Sequence, residues 1–385
     1  MIWRVVRFLL HEIWLMNITA SDIDDLALGA VFLATGGGGD PYLPTLIAKE
    51  TLAQTGGVTL IDAQSLDDDA FVVPVGGVGA PTVSLELLPS VDEASKVLDR
   101  YEELVGRPIT AVASFEIGGG NSLMPLMAAA VRGLPVVDGD GMGRAFPEAQ
   151  MMSYAIAGVK PTPALAMDYA GNTAVFETSD TTTYEHHIRA FAAAAGGMIT
   201  VAEHPMSGAQ IKASVIPATV SFSLKLGRLL REQRGPIDDV LSALRTLFAD
   251  SVYGSVHKIF AGKVSSKSTR TVGGYDVGDL SIEDFDNPQR VCSITIKNEY
   301  LVATVGDRPL AMVPDLIVIV DAETSTPINA ERLHYGQRVA VIAVGAPTFY
   351  QTAEALAATE PRCFGIDLAY EALDTLVNDS VYLSG

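Results

Sequence analysis

The sequence predicts an α/β protein: a three-layer α/β sandwich with a mainly parallel sheet, followed by a β-rich, barrel-like second domain. Three continuous apolar segments, at residues 71–75, 109–115 and 134–137, alternate with helical segments. Uninterrupted apolar strands between helices are typical of a parallel sheet that is covered on both faces. Beyond residue 258 the segments are short, rich in Val, Ile and Thr, and separated by Gly, Asp or Pro, which favours an antiparallel sheet or barrel.

Length and charge limit the classes of function. The chain has 385 residues, which is long for one core, so two domains are expected. With 46 acidic and 26 basic side chains the net charge is −20, which argues against nucleic acid and membrane partners because both need clustered Lys and Arg. A small anionic substrate is not excluded, since it responds to the local field. Cys292 and Cys363 form neither a disulfide framework nor a zinc motif, so a reducing, cytoplasmic location is expected.

The chain divides into three parts. Residues 1–16 form an N-terminal extension that is apolar, interrupted by charged side chains, too short to cross a bilayer and without the features of a signal peptide. We expect Met16 to be the natural start, and the alternative is an amphipathic arm that packs on a partner subunit. Residues 17–165 form the α/β domain with glycine-rich loops, and residues 166–385 form the β-rich domain.

Local signals justify the individual elements. Thr19 and Asp22 form a capping box that begins the first helix, which Gly36 ends, and Pro41 or Pro44 fits the first turn of the next helix. The first domain is predicted to contain helices at 22–33, 43–52, 92–104 and 122–132 and strands at 58–61, 71–75, 109–115 and 134–137. The second is predicted to contain helices at 184–195 and 220–231 and strands at 291–297, 301–305, 316–320 and 339–344.

Glycine is concentrated in four loops. Thirteen of the 35 glycines lie at 36–39, 76–79, 118–120 and 139–143, and three of these loops follow predicted parallel strands, where open α/β sheets bind ligands. Such loops let the backbone approach a ligand or present N–H groups to an anion, and the alternative is that they are tight turns. The candidate substrate-binding glycines are Gly37, Gly38, Gly39, Gly119 and Gly120. No loop completes a dinucleotide or P-loop fingerprint, so no nucleotide is expected.

Polar side chains cluster at or just beyond two of the predicted strand ends. They are Glu116, Asn121, Asp138, Asp140, Arg144 and Glu148. If the two strands are neighbours, carboxylates from both loops share a crevice and raise each other's pKa into the range of a general acid or base. Arg144 could hold a substrate carboxylate in a bidentate pair. The alternatives are helix capping by Asp138 or Asp140 and simple surface exposure of Glu148.

A metal ion is a candidate that no motif indicates. The six histidines show no paired ligand spacing, and the adjacent His186 and His187 point to different sides of a helix. Glu116, Asp138 and Asp140 could hold a divalent cation through oxygen. The metal content therefore stays open.

Five segments carry a resemblance to a known family. They are residues 27–42, which include the Gly36–Gly39 run, and residues 115–121, 138–148, 313–317 and 361–365. These segments resemble motifs of the S-methyl-thiohydantoin desulfurase family, whose genes often stand beside those of hydantoinases and oxoprolinases. The resemblance extends from residue 17 to about residue 370. It implies an α/β sandwich followed by a β-barrel-like domain, and an enzyme that removes sulfur from a thiohydantoin ring.

From this resemblance and the loop positions we expect hydrolysis of the C–S bond of an (S-methyl-)thiohydantoin or related ring, with release of sulfide or methanethiol. Glu116 or Asp138 would deprotonate water, and Asp140 would assist the leaving group. Asn121 and the glycine N–H groups would stabilise developing charge, and Arg144 would anchor a carboxylate of the substrate. A homo-oligomer is expected. Two alternatives remain: a non-catalytic partner subunit of a hydantoinase- or oxoprolinase-type enzyme, and a phosphate- or nucleotide-dependent enzyme.

Overall fold

The computed structural model describes residues 15–85, residue 90 and residues 92–381 of the chain. Most of the predicted N-terminal extension lies outside the described residues, and its last two residues, Leu15 and Met16, begin the first strand. No helix in the described ranges is both long enough and apolar enough to cross a bilayer.

Within these ranges the chain forms eleven α-helices and seventeen β-strands, numbered here in chain order. The helices are α1 (Ile23–Leu33), α2 (Tyr42–Thr55), α3 (Glu93–Val105), α4 (Met124–Arg132), α5 (Ser153–Ile156), α6 (Thr181–Ala194), α7 (Gly208–Ser214), α8 (Thr219–Glu232), α9 (Ile237–Ala249), α10 (Ala353–Thr359) and α11 (Leu373–Val381). The strands are β1 (Leu15–Ile18), β2 (Val58–Ile61), β3 (Phe71–Gly79), β4 (Ala111–Ser114), β5 (Val136–Asp140), β6 (Ala164–Met167), β7 (Thr173–Phe176), β8 (Met198–Ala202), β9 (Met206–Ser207), β10 (Ile216–Pro217), β11 (Val256–Val272), β12 (Tyr275–Asp284), β13 (Val291–Lys297), β14 (Glu299–Val305), β15 (Arg308–Met312), β16 (Leu316–Asp321) and β17 (Arg338–Val344).

The predicted helices and strands are all present, with ends that differ by a few residues. At the start of α1, Asp22 Oδ2 accepts a hydrogen bond from the Thr19 N–H at 3.0 Å, which is half of the predicted capping box. The prediction names neither the short strands β6 to β10, whose two to five residues show little apolar periodicity, nor longer elements such as α9, β11 and β12.

The first sheet is mixed, not mainly parallel as the sequence predicts. Its order is β1-β2-β5-β4-β3-β8-β6-β7, with β9 and β10 paired to β3 and β5. Strands β2, β5, β4 and β3 form a parallel centre. The outer strands β1, β8, β6 and β7 each pair with their neighbours in antiparallel fashion. The sheet is mixed because the short strands added beyond β3 run antiparallel to their neighbours, whereas further βαβ units would have added parallel strands.

The predicted glycine loop at 76–79 is in fact the end of strand β3. Gly76 pairs with Val201 of β8, and Gly79 pairs with Met198. A Cβ atom on Gly76 would overlap the Phe115 ring, so this glycine is needed for the close approach of β3 to the chain that follows β4.

Helices cover both faces of this sheet, which gives three layers. Val73 of β3 packs in one core cluster with Leu98 of α3 and Leu126 of α4. The next residue towards the N-terminus, Val72, faces the opposite side and packs in a second cluster with Ile188 of α6. Alternate strand residues thus supply both cores, as expected for a sheet that is buried on both sides.

The second sheet is antiparallel and curled into a half-barrel, which agrees with the predicted barrel-like domain. Its order is β15-β14-β13-β12-β11-β17-β16. The side chains of β16 alternate between two cores: Ile317 and Ile319 face the inside of the curl, whereas Val318 packs with the helical side that includes Phe248 of α9. The half-barrel therefore has its own interior and shares its outer face with the first domain.

The border between the two sheets differs from a simple division of the chain at residue 165. That position falls inside β6, and every strand through Pro217 belongs to the first sheet. The second sheet begins only at Val256, after α8 and α9.

Candidate functional site

A cavity of about 170 Å³ lies at the carboxyl ends of β3 and β4. Its wall is formed by the chain that follows these strands, by residues 38–40 and 146–149, and by Asn298 and Glu299 from the turn between β13 and β14. The cavity therefore lies where the two sheets meet, and both domains contribute side chains to it.

Glu116, directly after β4, is the best-positioned residue of the sequence-based set. Its side chain is buried and lines the cavity. Its Oε1 accepts a hydrogen bond from Asn121 Nδ2 at 2.6 Å. Asn121 in turn is fixed by Gly77, whose N–H donates to Asn121 Oδ1 at 2.6 Å and whose C=O accepts from Nδ2 at 3.0 Å. The second oxygen of Glu116, Oε2, is buried without a hydrogen-bond partner among the described residues.

Glu299, at the start of β14, is a candidate site residue that the sequence does not predict. It is buried, it lines the cavity, and its Oε2 also has no hydrogen-bond partner in the described part of the chain. A Cβ atom on Gly37 would overlap Glu299 Oε1, so the glycine loop of the first domain leaves room for this carboxyl group. We refer to Glu116 and Glu299 as the cavity pair.

Burial sets the protonation of the cavity pair. Burial raises the pKa of Glu116 to about 8, against the hydrogen bond from Asn121, which lowers it. Burial also raises the pKa of Glu299 well above its usual range, and the nearby Glu116 carboxylate raises it further. Glu116 can therefore ionise as the pH rises through about 8, and its charge then favours the protonated form of Glu299, which is the arrangement needed for a base and an acid in one site.

The glycine loops pack on each other and only partly face the cavity. Gly120 N–H donates to Gly39 O at 3.0 Å, and Asn121 N–H donates to Gly38 O at 3.3 Å. Gly38 has φ +70°, and Gly119 has φ +54° where a Cβ atom would overlap Gly39 O. Of the five candidate glycines Gly38, Gly39 and Gly120 line the cavity, whereas Gly37 and Gly119 pack behind it.

Asp140 does not line the cavity, and its carboxylate is fully occupied by the protein. Its Oδ2 accepts hydrogen bonds from the N–H groups of Ile117, Met142 and Gly143 at 2.8–3.0 Å. Its Oδ1 accepts from Thr219 Oγ1 at 2.7 Å. Burial raises the pKa of Asp140 to about 7, against these bonds. The expected acid catalyst is therefore reassigned: Asp140 holds the loops after β4 and β5 together.

Asp138 likewise lies outside the cavity wall. Its Oδ1 accepts a hydrogen bond from the Ser221 N–H, in the first turn of α8, at 2.9 Å. Burial raises its pKa. The structure thus gives Asp138 the helix-capping role that the sequence left as an alternative, although from a distant segment of the chain.

Arg144 joins the two domains and has no free face for a substrate. It is 0% exposed. Its Nε donates to Ala145 O, its NH1 group to Pro314 O and Asp315 O, and its NH2 group to Thr35 Oγ1, all at 2.8–2.9 Å. The expected anchoring of a substrate carboxylate by Arg144 is therefore corrected, because every nitrogen is committed to the protein.

The remaining candidates are also placed. Glu148 lines the cavity and forms an ion pair with Lys297. Within the described ranges, no group of three or more His, Cys, Asp or Glu side chains is arranged to hold a metal ion. The cation cluster considered for Glu116, Asp138 and Asp140 does not form, since only Glu116 reaches the cavity.

Comparisons with known proteins agree with this architecture. A model of the S-Me-THD-like N-terminal domain matches residues 21–178, and a model of the S-Me-THD-like C-terminal domain matches residues 178–373. The chain belongs to this family. It is the S-methyl-thiohydantoin desulfurase family that the sequence motifs resemble.

A solved structure shows the same fold. The crystal structure of a Chromobacterium violaceum protein is 25% identical in sequence, with a TM-score of 0.74, over 94% of this chain and 100% of that chain. No curated protein matches the sequence significantly. Family membership therefore associates the chain with thiohydantoin-related chemistry.

Proposed function

We propose that the protein hydrolyses the C–S bond of a thiohydantoin or S-methyl-thiohydantoin ring, with the cavity pair as base and acid. The observation that carries the proposal is that two buried carboxyl groups, one from each domain, line one cavity, and each has an oxygen with no hydrogen-bond partner in the part of the chain that the structure describes. Buried polar groups are almost always satisfied, so two orphaned oxygens in one cavity indicate a ligand that satisfies them.

The hydrogen bonding assigns the two roles. Glu116, whose carboxylate is stabilised by the hydrogen bond from Asn121, takes a proton from water. Glu299, whose pKa is raised by burial and by the charge on Glu116, is the neutral acid. The water oxygen bonds to the ring carbon between the two nitrogens, and the electron pair of the C=S bond moves to sulfur, which receives the proton of Glu299.

The second half of the reaction restores both residues. The C–S bond breaks, and sulfide leaves with the proton held by Glu116. The hydroxyl proton on the ring carbon passes to Glu299 as the C=O bond forms. The balance is C=S + H₂O → C=O + H₂S. For an S-methyl ring Glu299 first protonates the ring nitrogen, and methanethiol leaves.

Two further features suit a sulfur-containing ring. Six of the 11 methionines line the cavity: Met124, Met127, Met142, Met152, Met167 and Met198. Thioether side chains are polarizable and adapt to flat rings and to sulfur. Asn298, at the cavity wall, uses its Oδ1 to accept from the Asp276 N–H at 2.8 Å. Its NH₂ group has no hydrogen-bond partner within the described ranges and would donate to the ring carbonyl oxygen.

The test is isotope incorporation coupled to product release. The purified protein is given a thiohydantoin and its S-methyl form in water enriched in oxygen-18, and sulfide, methanethiol and the mass of the ring product are measured. The expected result is one sulfur product per ring, with one oxygen-18 atom in the hydantoin. Sulfur release without oxygen-18 would contradict hydrolysis, and no release, with metals supplied, would favour the partner-subunit alternative.

A further inference from the structure

One buried carboxyl group of the second domain lies next to the turn that carries Glu299. It belongs to Asp276, the second residue of β12, which is 6% exposed and does not line the cavity. A buried charge destabilises a protein unless hydrogen bonds satisfy it, so the partners of such a residue show what it does in the fold. The partners of Asp276 lie on both sides of the domain border.

The Asp276 side chain connects the second domain to the first. Its Oδ2 accepts a hydrogen bond from the Thr82 N–H at 2.9 Å, and its Oδ1 accepts from the Thr82 hydroxyl at 2.9 Å. Thr82 follows β3 in the first domain and is preceded by Pro81, which lines the cavity. Oδ1 also accepts from the Thr271 hydroxyl of β11 at 2.8 Å, which fixes the orientation of the carboxylate. Asp276 is thus bonded to the first domain directly beside the cavity wall.

The main chain of Asp276 holds the turn between β13 and β14. Asp276 N–H donates to Asn298 Oδ1 at 2.8 Å, and Asn298 N–H donates to Asp276 O at 2.7 Å. Asn298 adopts φ +58°, a left-handed conformation that few residues other than Gly adopt. Glu299 is the next residue in the chain. A displacement of Asp276 would therefore displace Glu299 as well.

Two other contacts connect the ends of this turn to the first domain. Before the turn, Lys297 pairs with Glu148 through a long, flexible side chain. After the turn, the Tyr300 N–H donates to Thr35 O at 2.8 Å. Asp276 is bonded to the residue between these two ends, so its contact with the first domain sets the position of the tip of the turn.

On the basis of the proposed function, we propose that Asp276 is a positioning residue for the acid of the cavity pair: its carboxylate, bonded to Thr82, places Glu299 in the cavity. Asp276 itself neither contacts the ring nor transfers a proton. Its effect is on geometry, because acid–base catalysis requires the reacting groups to be placed to well within an ångström. It also keeps Glu299 buried, and burial is the main reason why the pKa of Glu299 is raised.

The test makes the same substitution at the two ends of β12. In Asp276→Asn an NH₂ group replaces one of the two oxygens that accept from Thr82, so one of these hydrogen bonds is lost. We expect kcat for sulfide release to fall about 10- to 100-fold. The decline of kcat/KM at high pH should begin at a lower pH, since a less buried Glu299 loses its proton more easily. The control, Asp284→Asn, alters a carboxylate that accepts from the Asp286 N–H and pairs with Arg290, and it should change neither quantity.

Infrared spectroscopy follows Glu299 without any turnover. The C=O band of the protonated Glu299 carboxyl group is the band that Glu299→Gln removes, and its disappearance as the pH rises gives the midpoint of ionisation. This midpoint should be lower by about one pH unit or more in Asp276→Asn than in the unaltered protein. In Asp284→Asn it should be unchanged.

The inference is overturned if folded Asp276→Asn keeps the infrared midpoint of the unaltered protein, even when its rate is lower, because a smaller folded fraction lowers the rate without changing the ionisation of Glu299. Should Asp276→Asn fail to fold, Thr82→Val decides, since it removes only the hydroxyl donor and must lower the midpoint in the same direction. The two proposals fail separately. A lowered midpoint without sulfide release from the unaltered protein contradicts hydrolysis alone, whereas sulfide release with equal midpoints contradicts the positioning role alone.

Discussion

Two groups of buried charged residues lie near each other at the strand ends and differ in one respect. Each member of the cavity pair has one oxygen without a hydrogen-bond partner among the described residues. The second group, which we call the buried cluster, consists of Asp138, Asp140 and Arg144. Each of these side chains is hydrogen-bonded to other parts of the protein. Both groups have perturbed pKa values because both are buried. The comparison shows that a shifted pKa marks burial, and that an unsatisfied atom facing a cavity is the better indicator of a site.

The largest expected effect is a loss of catalysis in variants of the cavity pair, which distinguishes this pair from the buried cluster. Glu116→Gln and Glu299→Gln should each lower kcat at least about 100-fold, because each removes a proton-transfer group. The midpoint of thermal unfolding should stay constant or rise, since a buried carboxyl group with one unpartnered oxygen is replaced by a neutral amide. Sulfide release and thermal denaturation of the same preparations check both parts. A variant with full activity would remove its residue from the mechanism.

The buried cluster should respond in the opposite way. Arg144→Met removes the donors to Pro314, Asp315 and Thr35 and leaves their acceptors unsatisfied. We expect the free energy of unfolding to fall by about 3–5 kcal/mol. Denaturant titration measures this loss. The protein that remains folded should keep its kcat, and a stable but inactive Arg144→Met would return Arg144 to the substrate site.

The free energy of unfolding should depend on pH because several buried carboxyl groups have raised pKa values in the native state. Burial raises the pKa of Glu116 to about 8 and the pKa values of Asp315 and Glu331 to about 7. Between their unfolded values near 4 and these folded values the native state binds more protons, so stability falls as the pH rises through this window. Thermal midpoints should decrease from about pH 5 to about pH 8, and less steeply in Glu116→Gln. A rising midpoint would contradict the assignment.

The smallest effect is expected at Asp138. Asp138→Asn keeps an oxygen that can accept the hydrogen bond from Ser221, so the loss of stability should be at most about 1 kcal/mol. Catalysis should be unchanged because the side chain does not line the cavity. Steady-state kinetics decide the point: a collapse of turnover would restore the catalytic role that sequence position favoured.

Sequence position predicted the two-sheet α/β architecture and several of the residues that line the cavity. Glu116, Asn121 and the glycines at 38–39 were found because polar residues and glycines directly after a parallel strand lie at one sheet edge, a consequence of topology alone. The mixed edge of the first sheet was missed because β6, β7 and β8 are too short to show a period.

The rest of the site depends on long-range partners. Asp138 and Arg144 have the residue types and positions that are typical of site residues. Each is instead hydrogen-bonded to a residue far away in the sequence, Asp138 to Ser221 and Arg144 to Pro314. Glu299 lies 183 positions from Glu116 in an antiparallel turn, and no local motif links the two. The signal that the sequence offers is the polar pair Asn298-Glu299 between two apolar strands. In the structure Asn298 adopts φ +58°, a left-handed conformation in which Asn is enriched.

The central claim is that the cavity pair supplies both base and acid, and the pH profile of sulfide release tests it most directly. For the unaltered protein, kcat/KM should rise with pH through about 8 as Glu116 ionises, then fall at higher pH as Glu299 loses its proton. In Glu299→Gln the rate should be low and the fall at high pH should be absent. An unchanged profile in Glu299→Gln, at an unchanged rate, would contradict the account.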